Sequence, residues 1–288
     1  MRGGESTGLA PFRRRARSRE DGTVQGLPFE APPLPGRTVV EQRWRDLVFL
    51  HWRVEPDLVA PFLPAGTRPD VVDGATWVGL IPFVLADTRF PPLPPMHRFG
   101  TFVEVNVRLY SVDHDGNRGV VFRTLEAGRL LPVIAARLAF GLPYHWASSR
   151  VVHRVDASGH ELHFRSRRHG PGGPSTRIRA RLGEPVHAGA PDAALARFLT
   201  ARWGFHEEHL GRTVWARNTH EPWPLLRAEL LQIDDELLAA SGFGDLATRH
   251  PDSVLASSGV ATAFSRPRAI EAPAWRLQPI TRRRPAPA

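Results

Sequence analysis

Glu104, Asn106, Arg108 and Tyr110 occupy alternate positions of one run, Phe102–Tyr110, and offer a carboxylate, an amide, a guanidinium and a phenol. The residues between them, Val103, Val105, Val107 and Leu109, are all aliphatic. Alternation with period two marks a β-strand, so the four polar groups share one face, with successive members roughly 6–7 Å apart. Arg108 on such a face can hold a small carboxylate through two parallel hydrogen bonds. Glu104 becomes a general base near neutral pH if burial raises its pKa. The competing reading is a wet strand surface carrying a structural Glu–Arg pair. Asn is disfavoured in strands, and its place here argues for a lined cavity.

Three other segments carry groups of the same kind. Gly141-Leu142-Pro143-Tyr144-His145 sets a phenol beside an imidazole, an acid/base pair if both face a pocket and a packed Tyr with an exposed His if they do not. Thr219-His220-Glu221-Pro222-Trp223-Pro224 holds His220 in a stretch stiffened by two prolines. His51 lies between Leu50 and Trp52, a setting for a partly buried, hydrogen-bonded imidazole. The candidate catalytic set is therefore Glu104, Tyr144 and His145. The candidate substrate-binding set is Arg108, Asn106, Tyr110, His220 and His51.

Some chemistry is excluded. All 38 basic side chains are arginine and the chain has no cysteine, which removes imine-forming lysines and thiolate nucleophiles. His206-Glu207-Glu208-His209 spaces its histidines three apart, not the four of a zincin helix, and no metal or other cofactor is expected. There is no glycine-rich phosphate loop and no Gly-x-Ser-x-Gly elbow.

Strands must position most of these groups. The turn Asp113–Asn117 joins Phe102–Tyr110 to a returning strand Gly119–Thr124. Val151–Val155 and Glu161–Ser166 form a second hairpin, and Arg177–Leu182 alternates with a basic, wet face. Trp77–Val84 is apolar enough to be buried on both sides, and Leu47–Arg53 is a further strand. Helices are expected at Leu130–Phe140 and Pro191–Trp203. Leu226–Ile233 reads as strand and Asp234–Ala240 as a short helix, or the whole as one element. The class is α+β with a mainly antiparallel sheet that can curl into a barrel.

The 288 residues carry a formal charge of +9, but +7 of it falls in two Arg/Pro-rich tails, 1–36 and 266–288. Both read as disordered, leaving a single domain over 37–265 of near-neutral charge. That distribution argues against a specific nucleic-acid partner. No apolar run is long enough for a transmembrane helix, and the Arg-rich start lacks the apolar stretch of a signal peptide, so no membrane partner is expected and the cytoplasm is the default compartment. The expected partner is a small-molecule ligand. The oligomeric state is not legible.

Taken in order, several segments resemble the YqjF-like bacterial family, a domain of unknown function in the acetoacetate-decarboxylase-like superfamily. They are Arg43-Trp44-Arg45-Asp46, Phe49-Leu50-His51-Trp52, Gly74 to Phe83, Glu104 to Tyr110, Gly119-Val120-Val121-Phe122, Phe140 to Tyr144 with Ala147, Leu199-Thr200 with Arg202-Trp203, and His220 to Pro224. Leu109 stands where the family pattern has Thr, and Trp203 where Tyr is usual. The resemblance implies an antiparallel β-barrel or cone with a central cavity and a few flanking helices. It also implies a comparison: where acetoacetate decarboxylase has Gly-x-Pro-Lys-Lys, this chain has Gly141-Leu142-Pro143-Tyr144-His145. The expected activity is a lyase, hydratase or proton-transfer reaction on a small carboxylate or oxygenated metabolite, without an imine. The alternative is a non-catalytic small-molecule binder using the same cavity. Borohydride reduction in the presence of a keto acid should attach no label between Arg37 and Ser265, and a stable adduct there, located by mass spectrometry, would contradict this.

Overall fold

The computed structural model describes residues 28–96, 100–129 and 141–270. Strand β1 spans Thr38–Val54 and runs into a single helical turn, α1 (Pro56–Val59). β2 (Thr67–Pro69), β3 (Thr76–Arg89), β4 (Phe102–Asp113) and β5 (Arg118–Ala127) come after it. Next are β6 (Tyr144–Asp156), β7 (Gly159–Arg168), β8 (Ser175–Pro185) and α2 (Ala193–Thr200). β9 (Gly204–His209), β10 (Arg212–His220) and β11 (Leu225–Asp235) precede α3 (Leu237–Ala240), and β12 (Ser253–Ser265) and β13 (Arg268–Ala269) complete the order.

Both hairpins expected from alternation are present, as β4–β5 and β6–β7, and the Arg177–Leu182 strand is β8. The ambiguous segment divides into strand β11 and the short α3. The Pro191–Trp203 helix is shorter than its apolar stripe suggests. It ends at Thr200 because Ala201 leaves helical geometry (φ −79, ψ 74) and Arg202 turns back into the interior. The expected Leu130–Phe140 helix lies outside the described residues. Two pieces of the segments read as tails are ordered. The Pro28 carbonyl accepts a hydrogen bond from the Trp203 indole, and β13 pairs with β10 through Arg268 and Ala269.

The thirteen strands among the described residues join one sheet, which is mainly antiparallel and curls partly into a ring. Its pairings trace two circuits that share the wall β12–β1–β3–β4–β5. One circuit returns through β11, β8, β7 and β6, the other through β10 and β9. The second closes thinly: three residue pairs join β10 to β12, and one parallel pair, Val120 with Phe205, joins β5 to β9. Sharing a wall means that its strands are covered on both faces. β3 is buried at every position from Thr76 to Ala86, the two-sided burial that its unbroken apolar run predicts. Val48, Leu50, Leu80, Val105 and Val107 pack into an aliphatic core on one side; Leu47, Phe49, Ile81, Phe83 and Tyr110 belong to a separate aromatic-rich cluster on the other.

Strict alternation does not hold along these strands, and the exceptions are informative. In β1 the even residues Gln42 and Trp44 face the same side as the odd residues Leu47 and Phe49. The change of parity occurs where Asp46 takes φ 55 and the pairing to β3 shifts register between Arg45 and Leu50. In β3, Asp87 (φ 54) lets Leu85 and Thr88 face one side. In β5 the register shift opposite Val107 and Arg108 does the same for Phe122 and Leu125. Each is a β-bulge, which adds a residue, bends the strand and re-aims the side chains beyond it. Gly259 accommodates the first bulge from across the ladder. It lies at φ +120, and a Cβ there would overlap the Trp44 carbonyl oxygen. Gly259→Ala should therefore lower stability by about 2–4 kcal/mol through backbone strain and steric overlap, read as a fall in the urea midpoint at unchanged slope.

Candidate active site

The smaller circuit encloses a cavity of about 870 Å³, within the range of small-molecule sites. Trp44, Phe49, Phe83, Phe205, Trp223 and Phe264 supply much of its wall. Along β4 the side chains of Phe102, Glu104, Asn106 and Arg108 face it in succession. The polar strand face is thus interior, consistent with the out-of-place Asn106.

Glu104 is 2% exposed. The Tyr144 hydroxyl donates to its Oε2 at 2.8 Å. Tyr144 reaches it because the start of β6 pairs in parallel with the end of β5, placing Tyr144 opposite the cavity-facing Leu125. Burial pushes the Glu104 carboxyl up from 4.5 to about 7, and the hydrogen bonds from Tyr144 and Asn106 only partly oppose this. The same burial, with the Glu104 charge beside it, holds the Tyr144 phenol well above its usual range. Near neutral pH the pair therefore comprises a half-ionised carboxyl and a phenol that keeps its proton.

Arg108 lies further along the same strand. Its guanidinium donates to the Tyr110 hydroxyl at 3.1 Å and to the Leu199 carbonyl at 3.0 Å, and it sits 5.6 Å from the centre of the Phe49 ring. These are neutral partners; among the described residues no carboxylate pairs with it. Beside it Arg202, 4% exposed, is ion-paired to the buried Asp70, which Arg118 also holds at 2.7 Å. Burial disfavours the Asp70 charge, but the two guanidinium groups together keep its carboxyl below the ordinary value. Three arginines against one carboxylate leave this end of the cavity short of negative charge. Two polar atoms there, Arg202 Nη2 and Asn106 Oδ1, lack hydrogen-bond partners among the described residues.

Tyr110 and His51 do not line the cavity, contrary to the expectation of direct substrate contact. They stand behind Arg108. The Tyr110 hydroxyl donates to the Leu199 carbonyl at 2.8 Å and lies 2.7 Å from His51 Nε2. Burial, reinforced by Arg108 and Arg202, holds the His51 pKa well below 6.5, so its ring is neutral. Gly79 makes room for this arrangement, since a Cβ there would press on His51 and on Arg108. His220 does line the cavity, among Trp44, Trp203 and Trp223. Its Nδ1 is 2.6 Å from the Glu221 carbonyl. A carbonyl can only accept, so Nδ1 carries the proton and Nε2 the lone pair. Burial lowers its pKa to about 4, the Glu221 bond opposing and Arg108 adding to the effect.

His145 is not among the cavity residues. It comes directly after Tyr144 on a strand, and successive strand side chains point to opposite faces, so the two do not act as a pair in this space. Arg202, Asp70, Trp44 and Trp223 join the site without being among the expected candidates. An arginine inside the apolar stretch Phe198–Phe205 is one signal, and the family-like segments containing Trp44, Arg202 and Trp223 are another. Nor does any local pattern mark a line of Ser111, His206 and Asp113, in which Ser111 Oγ is 2.8 Å from His206 Nδ1 and His206 Nε2 is 3.4 Å from Asp113. This resembles a hydrolase triad only in residue types. All three are buried away from the cavity, and Asp113 is engaged in capping the turn to Asn117.

The curled, mainly antiparallel sheet is similar in fold to acetoacetate-decarboxylase-like proteins. Acetoacetate decarboxylase from Legionella pneumophila superposes with a TM-score of 0.58 at 12% identity, covering 91% of this chain and 98% of that one. An acetoacetate-decarboxylase-like enzyme from Sphingomonas wittichii RW1 gives 0.56 at 14% identity, covering 82% and 94%. The enduracididine biosynthesis enzyme MppR, complexed with pyruvate, gives 0.52 at 14% identity, covering 84% and 92%. At such identities the likeness is one of fold. The chain belongs to the DUF2071 family of uncharacterized conserved proteins, matched over residues 41–261. The uncharacterized protein YqjF of Bacillus subtilis (strain 168) is 28% identical over 196 residues, 67% of this chain and 78% of its own length.

The Glu104 environment has a measurable consequence. Its pKa is about 7 folded against 4.5 unfolded, so the folded state keeps a proton that the unfolded chain releases between those values. The stability tied to that proton is complete below pH 4.5, declines as pH rises to 7 and stays low above it. Glu104→Gln is neutral at every pH, so its stability relative to the native protein should rise by roughly 3 kcal/mol between pH 4 and pH 8. Urea denaturation at the two pH values measures this; an unchanged difference would refute it.

Proposed function

We propose that the cavity binds an anionic metabolite and that Glu104 transfers a proton to or from it. The observation that carries this reading is a buried, cavity-facing carboxyl whose pKa is raised to about 7, on the same strand face as an arginine, with no cation beside the first and no carboxylate paired to the second among the described residues. Arg108 would take the anion, with Arg202 adding positive potential. As carboxylate, Glu104 would accept a proton from a carbon or hydroxyl of the ligand; as acid, it would return it. Tyr144, hydrogen-bonded to Glu104, would orient the carboxyl and stabilise its ionised form. His220 Nε2 would accept a hydrogen bond from the ligand. The reaction class is enolisation, hydration or dehydration, or a related lyase step. No imine is involved, because the chain has no lysine.

A binder without turnover would use the same anion site, so the test must separate chemistry from affinity. A thermal-shift screen of carboxylates and keto acids identifies a ligand, and proton NMR in deuterium oxide then tracks exchange at its activated carbon. Exchange should rise with pH around an apparent pKa near 7, as the ionised base appears. It should fall by about 100-fold or more in Glu104→Gln with binding retained. Exchange that is unchanged in this variant would eliminate Glu104 as the proton carrier, and binding without exchange in the native protein would favour the binder.

A further inference from the structure

We infer that the ligand is an amphipathic acid, an anionic head joined to a long-chain or multi-ring apolar body, and not a short-chain acid. The inference rests on the anion site proposed above and adds the shape and polarity of what that site holds.

Geometry supplies the first argument. β4 lines the cavity from Phe102 to Arg108, a span of about 20 Å at roughly 3.3 Å per residue. Glu104 and Arg108 are four residues apart on that face, about 13 Å along the strand by the same rise. The Arg108 side chain does not close this gap, because its guanidinium leans the other way, onto the Tyr110 hydroxyl and the Leu199 carbonyl. A short acid held by Arg108 therefore falls well short of Glu104. An extended one reaches Glu104 with a position several bonds from its head group.

The walls supply the second argument. Seven of the chain's fifteen phenylalanines and two of its eight tryptophans line this space, so most of it has no polar group to hold water in place. An apolar body gains by displacing water from such walls, whereas a short acid leaves them as they were. Asn106 interrupts the apolar lining between Arg108 and Glu104. It is 4% exposed, and its Oδ1 has no partner among the described residues. That oxygen accepts a hydrogen bond, so a hydroxyl or N–H partway along the ligand fits there. Affinity should therefore grow with apolar length from a fixed anionic end.

Titration calorimetry on the full chain tests this with acetate, butanoate, hexanoate, decanoate and 2-naphthylacetate, alongside the primary alcohols of matching length. Each added methylene should strengthen binding roughly threefold to fourfold, so decanoate exceeds butanoate by at least about 100-fold at one site per chain. The alcohols should bind at least about tenfold more weakly than their acids. Acids that bind without regard to length would overturn the amphipathic class and leave the anion site standing. Affinity that climbs equally for acids and alcohols would keep the apolar body and overturn the anion site. Decanoate binding at many equivalent sites, or no binding by any member of the series, would overturn the inference.

Discussion

Most of this structure depends on one wall of sheet being covered on both faces. β12, β1, β3, β4 and β5 belong to two circuits at once, so each strand must satisfy a packed aliphatic core on one side and a cavity on the other. A strand has only two faces, and neither is given to solvent over most of β3 and β4. That is why β3 is apolar almost throughout, and why the polar residues of β4 from Glu104 to Tyr110 keep to alternate positions. A polar group moved by one place would face the other side of the wall, where it would need a partner such as the one Arg168 gives the buried Glu126 of β5. The bulges at Asp46, Asp87 and opposite Arg108 bend this wall and let residues of mixed parity face the cavity. They are part of how the ring curls, since added residues increase local bend and twist.

The cavity is lined at a cost in stability. Among the described residues Glu104 has no cation beside it and Arg108 no carboxylate, and buried charged groups left so are each less favourable than an apolar side chain of similar size. Bringing the two together would neutralise both, yet the strand keeps them four residues apart and directs Arg108 toward neutral oxygens. The supports behind Arg108 are fully buried and specific: Tyr110 and His51 in hydrogen-bonding register, Gly79 leaving room, and the Leu199 carbonyl at the end of α2. Asp70 meanwhile compensates Arg202 and Arg118. The adjacent aliphatic core supplies apolar burial that offsets part of this cost. Functional sites are the usual place for such local departures from what packing alone would favour.

Much of the frame is legible because alternation is a local property. Val103, Val105, Val107 and Leu109 identify β4 and its core face without reference to any other segment, and the turn residues Asp113–Asn117 identify its partner strand. The two-sided burial of Trp77–Val84 comes from the absence of polar residues. Limits arise where distant contacts override a local signal. The α2 stripe continues to Trp203, but Arg202 leaves the helix to meet Asp70, 132 residues away in the chain. β1 reads as a seven-residue strand because its first half is polar on one side; pairing with both β3 and β12 extends it to seventeen residues.

Residue types and order by themselves determined several things here: a chain without lysine or cysteine cannot form a lysine imine or a thiolate, the class is a mainly antiparallel α+β domain, and one strand carries Glu104, Asn106 and Arg108 on a single face. The tertiary structure decided which side of that strand is enclosed, since solvent and cavity are equally compatible with alternation. It also separated Tyr144 from His145. The two are neighbours in sequence, but a three-residue parallel pairing of β6 with β5 turns one toward Glu104 and the other away. It placed Tyr110 and His51 behind Arg108 and brought in Arg202 and Asp70. The physical reason is the same in each case. Periodicity sets which residues share a face, but burial and charge compensation are set by strands that meet only when the sheet curls.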